Sequence, residues 1–143
     1  MIPQLIKGGQ HSDERGMLKF VNDFDLKSIR RFYTISPANV STIRAWQGHK
    51  MESKWFHVTS GKFLIRLIKP DNWDNPSSKL PYSEFILSAE NSEVLHIPGG
   101  YCNGFRALTP NSSLIVFSDV GLGESEGDDF RFSSDYWCNW NEI

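Results

Sequence analysis

The chain has 143 residues, 39% of them hydrophobic and 22% charged, with a formal net charge of −2. That is enough to bury the core of one domain, and the composition excludes a disordered chain. Fifteen lysines and arginines against seventeen aspartates and glutamates leave no basic surplus to neutralise a nucleic-acid backbone or an anionic leaflet, which argues against nucleic acid and membrane as partners.

Short β-branched and aromatic runs, punctuated by Gly, Pro, Asn and Ser, recur along nearly the whole chain and predict an all-β domain. In order the predicted strands are Gly16 to Phe20, Ile29 to Ile35, Ile43 to Gly48, Lys54 to Thr59, Lys62 to Lys69, Tyr82 to Leu87, Glu93 to Ile97, Tyr101 to Ala107 and Ser113 to Ser118. Ser60-Gly61 reads as a tight hairpin turn. Lys62-Phe-Leu-Ile-Arg-Leu-Ile-Lys69 is apolar at nearly every position, which predicts a strand covered on both faces. Pro70 to Pro81 and the acidic, glycine-bearing Gly121 to Asp129 read as surface loops. Helix is expected only as a turn or two at Asp25 to Ser28 and in the Trp-rich tail. No run approaches the ~18 apolar residues of a membrane span, and the opening Met1-Ile-Pro-Gln-Leu-Ile-Lys lacks the apolar core of a signal peptide; the expected location is the cytoplasm. Cys102 and Cys138 are isolated in sequence and read as inert thiols.

Three clusters carry the chemistry. Arg44-Ala-Trp-Gln-Gly-His-Lys-Met-Glu-Ser-Lys54 concentrates charge on what the pattern predicts to be two adjacent strands, with Gln47 and His49 sharing a face because they lie two apart. The second is Leu87-Ser-Ala-Glu-Asn91 followed by Leu95-His-Ile-Pro-Gly-Gly-Tyr-Cys-Asn-Gly-Phe105. The third is Ser12-Asp-Glu-Arg-Gly-Met-Leu-Lys-Phe20.

In this order the three clusters resemble the sugar-nucleotide cupins, in particular dTDP-4-dehydrorhamnose 3,5-epimerase and the smaller dTDP-4-keto-6-deoxyhexose 3,4-ketoisomerases. Asp13-Glu-Arg-Gly-Met-Leu is similar to the family's D-x-R-G-x-F. Leu87-Ser-Ala-Glu-Asn with Ile97-Pro-Gly-Gly-Tyr-Cys-Asn-Gly-Phe is similar to its L-S-A-E-N and I-P-x-G-F-A-H-G-F pair. The resemblance runs from Asp13 to about Trp140. It implies a single-domain jelly-roll β-barrel, a homodimer that exchanges its N-terminal strand, a nucleotide sugar held inside the barrel, and no cofactor. Departures are equally legible. Gln47 stands where the family has its catalytic histidine, Asn103 stands at the other signature histidine, and Val120 to Gly123 offers no tyrosine where the epimerases carry their proton donor.

Both reactions of the family begin when a base removes a proton next to a keto group while a cation holds the enolate oxygen. His49, with an ordinary pKa near 6.5, is the residue of the cluster matched to that duty, and Lys54 is the enolate clamp by position. Gln47 cannot take a proton and would orient the sugar by hydrogen bonds. Arg44 and Arg15 suit the diphosphate because a guanidinium meets phosphate oxygens two at a time. Trp46, Phe20 and Tyr33 are candidates to stack on the base, and Asn103 completes the substrate-binding set. Packing alternatives stay open: His49 can be a satisfied structural histidine, Lys54 can snorkel from a strand edge, and the tryptophans can be core. Gln47, His49 and Asn103 in place of the metal-binding histidines of other cupins give no transition-metal site. Two readings follow: an isomerase acting on a dTDP-linked 4-keto-6-deoxy sugar, or a barrel that binds a nucleotide sugar or carbohydrate without turnover.

Overall fold

Side chains alternate across a strand with period two, so a run with every second residue apolar must lay one face on a core. The computed structural model, which describes residues 1–143, uses that alternation in two facing sheets and contains no helix. Its strands are β1 (Gln4–Lys7), β2 (Gly9–Asp13), β3 (Gly16–Phe20), β4 (Arg31–Ile35), β5 (Ile43–His49), β6 (Lys54–Ser60), β7 (Lys62–Ile68), β8 (Ser83–Ser88), β9 (Glu93–Ile97), β10 (Tyr101–Ala107), β11 (Ser113–Ser118) and β12 (Phe130–Arg131). One sheet has the order β1-β9-β6-β11-β4 and the other β12-β5-β10-β7-β8, while β2 and β3 pair only with each other. Neighbouring strands run antiparallel throughout.

The core between the sheets is built from alternate residues: Phe56 and Val58, Leu95 and Ile97, Leu114 and Val116 from the first sheet, Phe63, Ile65, Leu67, Phe105 and Ala107 from the second. The residues between them on β7, Leu64 and Ile68, meet Trp46, Cys102, Trp137 and Trp140 on the outer face. Strand β7 is thus covered on both sides, as its nearly continuous apolar run predicts. Arg66 pins the C-terminal tail there. It donates to Glu84 Oε2 at 2.8 Å, to Asn139 O at 3.0 Å and to Glu142 O, between the rings of Tyr82 and Trp140.

Three sequence expectations are corrected. Ser60-Gly61 is a tight turn, with Gly61 at φ +72°, but not a hairpin, because β6 and β7 belong to different sheets; a turn signal does not say which sheet the next strand joins. For the same reason the Arg44-to-Lys54 cluster does not lie on adjacent strands, since β5 and β6 face each other across the interior. Asp25 to Ser28 and the tail form turns rather than helix. In the tail, the indole N–H groups of Trp137 and Trp140 find the carbonyls of Ser77 and Ser134, at 2.7 and 2.9 Å, instead of water. Strands β1, β2 and β12 carry too few apolar residues to show in the pattern. No helix is long and apolar enough to cross a membrane.

Candidate active site

A cavity of about 460 Å³ opens between the sheets. Its walls include Tyr33 from β4, Arg44, Trp46 and Gln47 from β5, Lys54 and Phe56 from β6, Asn103 and Phe105 from β10, and Arg131 from β12. The positions follow from register. Asn103 pairs with Gln47 and Phe105 with Arg44, while the ladder shifts between Asn103 and Gly104. The extra residue, Trp46, thereby turns its indole toward Trp137 and Trp140, with centroids 5.2 Å away in each case, and gives its N–H to Ser134 O at 3.2 Å. Trp46 contributes wall, but its indole is committed to the core and offers no free face.

Lys54 comes from the sheet opposite Gln47 and reaches across: its Nζ donates to Gln47 Oε1 at 3.0 Å. Gln47 Nε2 in turn donates to Asp129 Oδ1 at 3.3 Å, and Arg131 donates to the same carboxylate at 2.8 Å. Burial pushes the Lys54 ammonium down to about 8, against the pull of Glu52 and with help from Arg31. Burial likewise raises the Tyr33 phenol, although the Arg31 guanidinium over its ring partly offsets the shift. The guanidinium beside Asp129 holds that carboxyl below the usual carboxylate range.

His49 does not line the cavity. It is buried at the end of β5 opposite Tyr101, two residues beyond Gln47. Its Nδ1 meets the Asp128 carbonyl at 2.5 Å. A carbonyl can only accept, so Nδ1 carries the proton and Nε2 keeps a lone pair. That Nε2 is buried without a partner, as is Glu52 Oε1, which lies 3.6 Å from His49 Nδ1. Burial first, then the Lys54 charge, hold the imidazole below its ordinary pKa. Glu52 Oε2 accepts from the Ser118 hydroxyl at 2.7 Å.

Two predicted residues lie elsewhere. Arg15 sits exposed on the β2–β3 ribbon, bound to Asp13 at 2.7 Å, and Phe20 packs at the ribbon's other end beside Gly9. Neither lines the cavity. Sequence reasoning missed Arg131, which shares the cavity wall, and Asp128, whose carboxylate accepts the backbone N–H groups of Lys50, Met51 and Glu52 at 2.6, 3.0 and 3.0 Å. The visible signal was an Asp-Asp pair followed by Phe-Arg-Phe, an alternation too short to stand out from the loop. No group of three His, Cys, Asp or Glu side chains is placed to hold a metal ion.

No family model matches the chain. It is 26% identical over 125 residues to a probable low-salt glycan biosynthesis epimerase of Haloferax volcanii, a match covering 83% of this chain and 78% of that one. The crystal structure of dTDP-4-dehydrorhamnose 3,5-epimerase from Bacillus anthracis with TDP and pyrophosphate bound superposes with a TM-score of 0.75 at 21% identity, over 93% of this chain and 79% of that one. The sugar 3,4-ketoisomerase QdtA from Thermoanaerobacterium thermosaccharolyticum in complex with TDP superposes with a TM-score of 0.69 at 24% identity, over 94% and 90% of the two chains. The chain therefore has the jelly-roll cupin fold that these sugar-nucleotide epimerases and ketoisomerases share, and it resembles such an epimerase in sequence over most of its length.

Proposed function

We propose that the protein is an isomerase of a dTDP-linked 4-keto-6-deoxy sugar, shifting the carbonyl or inverting a neighbouring centre in deoxysugar and surface-polysaccharide synthesis. The observation that carries this reading is the placement of a buried ammonium, Lys54, in the wall of a cavity whose mouth holds Arg44 and Arg131. A cation there meets an enolate oxygen, and the guanidinium forks meet a diphosphate. His49, two residues beyond Gln47 and with an Nε2 lone pair that has no partner, is the base once its ring reaches the cavity, which it does not line. Gln47 orients the sugar and Lys54 together, and Tyr33, in the same cavity wall, is the ring offered to the nucleobase. No cofactor enters. The protein works in the cytoplasm as a homodimer.

The test is incubation with the keto sugar nucleotide in D2O. Deuterium should appear at a ring carbon, and His49→Ala should lower the rate by ~10²–10⁴, the usual worth of a placed base; unchanged exchange in that variant excludes His49. One observation favours a second reading, a nucleotide-sugar binding protein without turnover: the His49 ring is closed off from the cavity beneath the Asp128 carbonyl. Calorimetric binding of dTDP beside a flat deuterium assay selects that reading.

A further inference from the structure

Shifting a carbonyl or inverting a carbon takes two proton transfers, one off carbon and one onto carbon. The isomerase reading, on which this inference rests, gives the first to His49. The second must come from a group in the cavity wall that holds a proton firmly enough to arrive charged and loosely enough to release it. Four titratable side chains line that wall: Tyr33, Arg44, Lys54 and Arg131. A guanidinium does not release its proton near neutrality. Burial makes the Tyr33 phenol a weaker acid than usual. Lys54 remains, 4% exposed and anchored through Nζ to Gln47 Oε1 alone. An ammonium has three hydrogens, so two are left for a ligand.

We propose that Lys54 is the acid that delivers a proton to the substrate carbon, and that Gln47, in hydrogen bond with its Nζ, is the positioning residue that aims it. On the isomerase reading the substrate C–H proton passes to His49 Nε2, whose ring lies behind the cavity wall and must turn into it, leaving the enolate. A proton of Lys54 then forms the new C–H bond, so one C–H bond breaks, one forms, and nothing is oxidised or reduced. Where the carbonyl moves, the hydroxyl hydrogen passes from one oxygen to the other. The enzyme ends with a protonated imidazole and a neutral amine, and solvent restores both. Burial supplies the required acidity, holding Lys54 near 8 against Glu52 and Asp129, which favour its charge, and with Arg31 and Arg131, which oppose it.

Lys54→Arg separates this role from that of a fixed cation, because it keeps the charge and cannot release the proton. With the keto sugar nucleotide in D2O, Lys54→Arg should still wash the substrate C–H out into solvent while product formation falls by about 100-fold or more. Product formation within about threefold of the parent chain overturns the proposal. Should Lys54→Arg fail to fold or to bind dTDP, Lys54→Ala decides the matter: ethylammonium should restore product formation and guanidinium should not, whereas equal rescue by both overturns the proton transfer. In the parent chain the rate should fall as pH rises through about 8, where Lys54 loses its proton, and no such limb should remain in Lys54→Arg. If the parent chain itself neither exchanges nor converts the sugar, the isomerase reading fails and takes this proposal with it. Exchange without a lysine-dependent second step defeats the proposal alone.

Discussion

Arg66 and Lys54 are both cations withdrawn from water, one on the outer face of the second sheet and the other on the inner face of the first. The Arg66 guanidinium is saturated: it meets the Glu84 carboxylate, two tail carbonyls and the Cys138 sulfur, between two aromatic rings. The Lys54 ammonium has one hydrogen bond, to a neutral amide, and open space beside it. A buried cation whose donors are all used stabilises the folded chain, whereas one whose donors are left free costs stability and holds them for a ligand. The pKa shifts separate the two in the same way, with Arg66 raised by its partners despite burial and Lys54 lowered by burial despite nearby carboxylates.

The contrast can be broken by exchanging the properties of the two sites. Lys54→Met should reduce turnover by ~10²–10³ while leaving the urea midpoint unchanged or higher, because the substitution removes a poorly compensated buried charge. Arg66→Met should do the reverse, lowering stability by about 2–4 kcal/mol with kcat unchanged wherever the protein is folded. If Lys54→Met is the more destabilising of the two, the distinction fails. Asp128→Asn should cost about 1–2 kcal/mol, since an amide nitrogen cannot accept the Met51 and Glu52 N–H groups, and should slow the reaction by loosening the Asp128 carbonyl against His49. Gln47→Glu sharpens the contrast most finely: a carboxylate on Lys54 Nζ makes it resemble Arg66, so the alkaline limb of the rate profile should move above about 8. On the acid side, the His49 of the proposed mechanism must be unprotonated to act. Its lowered pKa keeps it active below the ordinary histidine value near 6.5, and the rate should fall only below that.

Most of the fold is legible because β-branched and aromatic runs between turn residues mark strands, and nine of the twelve strands in the structure fall on such runs. The rest was hidden for definite reasons. Strand β12 has two residues, too few to show a period. Which sheet receives the strand after Ser60-Gly61 depends on packing between strands far apart in sequence. In the site, alternation predicts that Gln47 and His49 share one cavity, but only Gln47 lines it, although the two pair with Asn103 and Tyr101 on β10. It could not reveal that a carbonyl 79 residues away would cover the imidazole, nor that a shift in the ladder would turn Trp46 outward.

Asp128 draws these distances together. Its carboxylate gathers three successive amides at the corner between β5 and β6, and its carbonyl fixes the tautomer of His49. It stands at the end of a stretch that bends through Gly123 and Gly127, both with positive φ, a backbone that a protease can thread more readily than any strand. A single nick there would leave every rung of both sheets in place and free the imidazole to rotate. Limited digestion should then yield a barrel that still melts cooperatively and, on the proposed isomerase reading, still holds dTDP yet has lost its base.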